Sequence, residues 1–226
     1  MLQEEGLLWV NPLTVSKQAL SKRLRDFPTE IFAVLLKRVL AYRGKVSPKI
    51  PIEKHWEKVR EKFDTIWIAD GSTLEQLRKR LKIAPKESGE LAGKIMMIVE
   101  VFTQIPVTVW YEENERCNDK IWAKKLLETL PEAGLLIVDL GFFSFVWFDQ
   151  FTDHNKFFLT RMRQKTAYQV NQVLSEGLYY RDEIIHLGKY RSNPSAHPVR
   201  LVSVLWGNTW YRYLTNVLSD QQISAL

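Results

Sequence analysis

Asp70 and Asp139 are the residues of this chain best suited to chemistry, because each closes a short apolar run. The runs Thr65-Ile66-Trp67-Ile68-Ala69 and Gly134-Leu135-Leu136-Ile137-Val138 read as buried strands. Turn-forming residues follow each aspartate at once, Gly71-Ser72 in the first case and Leu140-Gly141 in the second. A buried strand that ends on a carboxylate offers a rigid stem and an anion at the rim of a sheet. Two such strands side by side hold both anions close enough to share a divalent cation. Mg²⁺ takes oxygen ligands, usually one or two protein carboxylates completed by water and substrate phosphate. Paired ions about 3.5–4 Å apart suit an in-line phosphoryl displacement. The pair therefore points to Mg²⁺ (or Mn²⁺) chemistry on phosphodiesters, with Asp70 and Asp139 as metal ligands and catalytic residues. An aspartate before Gly or Ser also caps turns, and for either residue alone that plainer role is the stronger reading. Two in matching contexts reverse the preference.

The elements that must position this pair can be read along the chain. Residues 14–43 read as a helical pair: Thr14 or Ser16 caps a first helix with Ala19, Leu20, Leu24 and Phe27 on one face. Pro28-Thr29-Glu30 restarts a second helix carrying Ile31, Val34, Leu35 and Val39. Lys17, Lys22, Arg23, Arg25, Lys37, Arg38 and Arg43 decorate the pair, as a grip on DNA or as a solvated outer face. The proline-bearing stretch Lys45–Pro51 reads as a linker, and Ile52 to Phe63 as helical. Beyond Asp70 come a helix from Thr73 to Leu81 and two runs, 95–102 and 106–111, that suit an antiparallel pair. Asn118-Asp119 caps a helix with Trp122, Leu126 and Leu130 on one face. After Asp139, Phe145, Phe148 and Phe151 line another helix, and 156–161 returns as a fifth strand. From Tyr168 onward, alternating runs such as 199–206 and 209–214, punctuated by Gly177, Gly188, Pro194, Pro198 and Gly207-Asn208, suggest a small β-rich insertion.

Composition bounds the partners. The 226 residues are 46% apolar, enough for a substantial core, and carry a net charge of +6 at a pI near 9.3. That excess suits a polyanion, since phosphate neutralisation supplies most non-specific nucleic-acid affinity, although ordinary basic proteins share it. Cys117 is the one cysteine, which excludes an internal disulfide and a cysteine-based zinc cage. The start Met1-Leu2-Gln3-Glu4-Glu5 is acidic where an export signal is basic, and no charge-free apolar run approaches the roughly 18 residues of a membrane span. The expectation is a soluble cytoplasmic chain with no membrane partner. His55, His154, His186 and His197 lack metal-ligand spacing, and His154 reads as part of a turn. The alternating Trp and Tyr residues of 206–213 suit a core more readily than stacking on unpaired bases. Lys156, Arg161, Arg163 and Lys165 either track phosphate or form a solvated edge.

The order strand, strand, strand, helix, strand, helix, strand is that of RNase H-like folds, in which the first and fourth strands are parallel neighbours. The fold class expected is therefore α/β, a mixed RNase H-like sheet flanked by helices. The motifs Ile68-Ala69-Asp70-Gly71-Ser72-Thr73 and Val138-Asp139-Leu140-Gly141-Phe142-Phe143 resemble those of DDE transposases of the insertion-sequence-four class. Asn118-Asp119-Lys120, Phe158-Leu159-Thr160-Arg161-Met162-Arg163, Tyr213-Leu214-Thr215-Asn216 and Val15-Ser16-Lys17-Gln18-Ala19-Leu20 stand in that family's order. The resemblance spans nearly the whole chain. It implies three regions: a helical DNA-binding module over 1–50, the RNase H-like core over 51–167, and the β-rich insertion over 168–226. It also implies Mg²⁺- or Mn²⁺-dependent cleavage and strand transfer on double-stranded DNA, at terminal inverted repeats and at target DNA. Asp70 and Asp139 would be the first two acidic ligands, with Lys17, Lys22, Arg23, Arg161 and Arg163 as DNA contacts.

The family's third acidic ligand lies on a helix bearing Tyr, two residues, Arg, three residues, Glu, six residues, Lys. After Leu214-Thr215-Asn216 the sequence runs Val217 to Leu226 without that pattern. Glu100, Glu176 and Asp182 lack the helical stem needed to substitute. The expectation is an incomplete transposase with little catalysis of its own. The alternative is a non-catalytic DNA-binding remnant, or an inhibitory subunit associating with full-length transposase at the nucleoid.

Overall fold

A computed structural model describes residues 16–26, 28–45, 54–73, 93–114 and 116–219. The expected linker 45–51 and the expected helix 73–81 lie largely outside them. The chain divides into two compact units, Met1–Val46 and Ser47–Leu226.

The first unit contains helices α1 (Lys17–Asp26) and α2 (Thr29–Lys45). Of the two candidate caps, Ser16 takes the role, its Oγ accepting from the Ala19 amide at 3.1 Å. Pro28 precedes α2, its carbonyl accepting the Ile31 amide at 3.2 Å. Ile31, Val34, Leu35 and Val39 are each about half exposed, so α2 leaves its apolar residues in water. Lys17, Lys22 and Arg23 are exposed on α1.

In the second unit the described residues begin with α3 (Lys54–Arg60), which stops short of Phe63, where the helical span 52–63 read from sequence ends. The chain leaves the helix before Phe63, which is buried against Ile66, Leu135 and Val217. Among the described residues, nine strands then build one mixed sheet: β1 (Ile66–Thr73), β2 (Lys94–Glu100), β3 (Pro106–Glu112), β4 (Leu135–Val138), β5 (Phe157–Arg161), β6 (Tyr168–Glu176), β7 (Tyr180–Leu187), β8 (Val199–Trp206) and β9 (Thr209–Thr215). Their spatial order is β3-β2-β1-β4-β5-β9-β8-β7-β6. β1 pairs antiparallel with β2 and parallel with β4, and β4 pairs parallel with β5. The expected adjacency of first and fourth strands is realised. The β-rich segment after Tyr168 is an antiparallel meander that extends the same sheet through β9 on β5, rather than a separate sheet.

Helices α4 (Ala123–Thr129) and α5 (Phe145–Asp153) cover one face. Side chains alternate across a strand, and the alternation is plain in β1 and β4. Trp67, Ala69, Leu136 and Val138 join the large core that includes Trp122, Leu126 and the α5 aromatics. Ile66, Leu135 and Ile137 join the smaller cluster around Phe63. Within the large core Phe148 stacks on Phe158 with centroids 4.4 Å apart, and Trp147 meets Phe151 edge-on at 4.8 Å. The Trp147 Nε1–H donates to the Ala123 carbonyl at 2.9 Å, tying α5 to α4.

Polar side chains join the meander to this core. Asp149 on α5 accepts from the Ala196 and His197 amides at 2.9 and 3.0 Å. Asn216, after β9, accepts from the Phe158 amide at 3.0 Å and donates to the Lys156 carbonyl at 2.8 Å. Asn216 is buried, so Asn216→Ala orphans groups that water cannot reach. The expected cost is about 1–3 kcal/mol for each group left unpaired, read as a lower urea midpoint with an unchanged slope.

The aromatic strand 206–213 departs from the core role expected of it. Trp206 is 79% exposed and Trp210 48% exposed, because Gly207 and Asn208 form the hairpin tip between β8 and β9, beyond the reach of α4 and α5.

Candidate metal centre

The parallel ladder of β1 and β4 aligns Ile66 with Leu135 and ends with Ala69 opposite Val138. The next residue along the chain in each case is the aspartate, so Asp70 and Asp139 each follow directly on that last aligned pair. Asp70 alternates to the face opposite Ala69, Asp139 lies one residue past β4, and both are exposed. The two strands do not stop alike. β1 runs three residues past Asp70, because Asp70, Gly71, Ser72 and Thr73 keep antiparallel partners in Met97, Met96, Ile95 and Lys94. Only β4 ends at its aspartate. Asp139 has extended backbone, and its Oδ1 accepts from the Gly141 amide at 2.9 Å, capping the 3₁₀ turn Leu140–Phe142. The capping role and the candidate ligand role thus coexist in one side chain: Oδ1 holds the turn, and Oδ2 remains to coordinate. Exposed carboxylates are hard oxygen donors of the kind Mg²⁺ and Mn²⁺ take, so Asp70 and Asp139 have the right chemistry for such an ion.

A third carboxylate lies between Gly71 on β1 and the turn after Asp139, and its place escaped the sequence reading. Asn118, not Asp119, is the cap there, its side chain accepting from the Lys120 amide at 3.0 Å. Asp119 turns inward and pairs with Lys94 Nζ at 2.6 Å. A Cβ on Gly71 would meet Asp119 Oδ1 at 2.5 Å, and one on Gly141 would meet Asp119 Oδ2 at 3.1 Å. The glycine after Asp70 and the glycine two after Asp139 therefore close on the same carboxylate. The Asp-Gly and Asp-x-Gly spacings carried this signal, without revealing what fills the space. Gly71→Ala must displace Asp119 from Lys94 or shift β1, at about 1–3 kcal/mol for overpacking. Asp119→Ala in the same chain should recover part of that loss, a non-additivity that denaturant titration of the single and double variants measures. Beside this pair, burial pushes the Cys117 thiol up despite the pull of Lys94 in the other direction.

The basic candidates divide between the units. Arg161 ends β5 opposite Tyr213 and is exposed. Arg163 Nη2 donates to the Leu140 carbonyl at 3.4 Å, with its guanidinium 5.1 Å over the Phe143 ring. It thus lies against the turn that follows Asp139. Lys17, Lys22 and Arg23 belong to the first unit.

Other acids and histidines are occupied elsewhere. Glu100 accepts from the Thr103 amide at 2.6 Å, Glu176 faces Arg181, and Asp182 is buried against Arg200. His154 Nδ1 lies 2.7 Å from the Gln150 carbonyl at the end of α5, as its turn reading required. His186 meets Asn171, and His197 meets Asp153. Among the described residues no group of three or more His, Cys, Asp or Glu is arranged to hold a metal ion. No described helix is long and apolar enough to cross a membrane.

No known family model and no curated protein matches this chain. Among solved structures the chain is similar to Endonuclease V from Streptomyces avermitilis, at 11% identity and a TM-score of 0.33, over 78% of this chain and 85% of that one.

Proposed function

We propose that the second unit is an RNase H-like domain of a DDE transposase of the insertion-sequence-four class, which cuts and transfers DNA strands at element ends. The observation that best supports this reading is the parallel ladder of β1 and β4, whose last aligned pair, Ala69 and Val138, directly precedes Asp70 and Asp139. The resemblance of the two aspartate motifs, in their order along the chain, supports it independently. Asp70 and Asp139 are the residues that would hold Mg²⁺ or Mn²⁺, and the ion when bound would stabilise charge on the phosphoryl oxygens. Asp139 is kept in place by its own cap on Gly141, and the Asp119–Lys94 pair packs against Gly71 of β1 and Gly141 of the turn. Arg161, exposed at the end of β5, and Arg163, against the turn after Asp139, supply positive charge for a DNA backbone. A duplex is the partner this charge suits, and association with further copies of a transposase is part of the same reading.

The test is incubation with supercoiled plasmid and Mg²⁺ or Mn²⁺, beside gel retardation at low salt. Nicking that Asp70→Ala removes supports the catalytic reading. Retention of DNA without nicking moves the chain to the non-catalytic DNA-binding alternative. Failure to retain or cut any DNA overturns both.

A further inference from the structure

A polar cavity of about 220 Å³ opens beside the Asp139 turn. Its wall carries three cations from distant parts of the sequence: Lys120 from the 3₁₀ turn before α4, Arg163 from the end of β5, and Arg191 from the loop after β7. Ser144, Thr166 and Asn193 add hydroxyl and amide groups, and no carboxylate lines it. Lys120, Arg163 and Arg191 are exposed, and their like charges around one cavity raise a positive potential that an anion would offset. Among the described residues no ion pair engages Lys120, Arg163 or Arg191.

The two guanidinium groups are also held. Arg163 lies 5.1 Å over the Phe143 ring and Arg191 5.2 Å over the Phe145 ring. Those two rings are themselves buried and in edge contact at 6.0 Å. Stacked this way, planar donors are oriented before any ligand arrives, which lowers the entropy lost on binding. Ser144 heads α5, and its side chain makes no capping bond, leaving its hydroxyl for a ligand. Fixed planar cations beside a hydroxyl form a donor set for a tetrahedral oxyanion.

We propose that this cavity is a subsite for a backbone phosphate of a nucleic-acid strand, near the bond that Asp70 and Asp139 address. It rests on the nucleic-acid reading above and deepens it by assigning Lys120 and Arg191, which no motif singled out for this role. The contact between Arg163 and the Leu140 carbonyl joins the cavity to the aspartate turn, so an occupied subsite fixes the strand relative to the carboxylates.

The test measures binding of a short fluorescein-labelled duplex across a salt series, using the full chain and Arg191→Gln, Arg191→Lys and Lys124→Gln. Removing one phosphate contact should lower the slope of log K against log salt by about 1. Arg191→Gln is expected to show that loss, while Arg191→Lys keeps the slope, and Lys124→Gln, whose exposed lysine faces Glu128, matches the parent. Circular dichroism confirms that each variant is folded. Inorganic phosphate, followed through the amide resonances of Ser144 to Trp147, separates a free phosphate from a strand. Shifts there together with the slope change support the subsite. An unchanged slope in Arg191→Gln, with the parent still binding DNA, overturns the subsite and leaves the nucleic-acid reading standing. No duplex binding by the parent overturns both readings, and phosphate shifts in that case assign the cavity to a free anion instead.

Discussion

Asp182→Ala is expected to destabilise the second unit by about 3–5 kcal/mol, the range for removing one partner of a buried ion pair. Asp182 on β7 and Arg200 on β8 are each 1% exposed, joined by two hydrogen bonds at 2.6 and 2.8 Å. Arg200 also donates to the Ser219 carbonyl at 3.2 Å. Without Asp182, a buried guanidinium loses a carboxylate that it holds through two hydrogen bonds in a low-dielectric setting. For a unit of this size the shift in melting temperature should be roughly 10 °C or more. The companion variant, Asp182→Leu with Arg200→Met, removes both charges and should cost far less, since an apolar pair of similar volume is often neutral or better. Thermal melts of the parent, single and double variants decide the matter. Equal losses in both variants would mean that the site is sensitive to shape rather than to charge.

The other large effect concerns cation binding. Asp70→Asn and Asp139→Asn should each lower Mn²⁺ affinity at least about 100-fold, because changes to residues merely supporting a ligand already cost about 10–100-fold. Both side chains are exposed, so the fold should be unaffected by Asp70→Asn. Asp139→Asn keeps an oxygen that can still accept from Gly141, which separates loss of the cap from loss of charge. Counting free Mn²⁺ by electron paramagnetic resonance gives the affinities directly. An affinity unchanged in either variant would place the ion elsewhere.

The end of β4 was legible because an apolar run closing on Asp139, with Leu140-Gly141 behind it, reads as a strand that gives way to a turn. The adjacency of β1 and β4 was legible because strand order restricts how a mixed sheet can be wound. Asp119 was not legible in its true role. Asn118-Asp119 reads as a helix cap whichever of the two does the capping, and only the Cβ positions of Gly71 and Gly141 reveal the space that Asp119 fills. The continuation of β1 past Asp70 was missed for a related reason. Gly71 and Ser72 are turn residues by type, yet ladder partners on β2 hold them extended. Alternating aromatics could not distinguish a core strand from a hairpin tip, because exposure depends on whether a helix covers that end of the sheet. The cavity was invisible for the plainest reason: Lys120, Arg163 and Arg191 are scattered in sequence and meet only in space.

The central claim is that two carboxylates, each directly following the last aligned pair of neighbouring parallel strands, together hold one divalent cation. Paramagnetic broadening by Mn²⁺ tests it most directly, with amide resonances followed residue by residue at substoichiometric metal. The account predicts that signals of residues 70–72 and 139–141 broaden together, and that Asp70→Asn or Asp139→Asn abolishes both effects at once. Broadening confined to one of the two segments, or centred on another part of the chain, would contradict it.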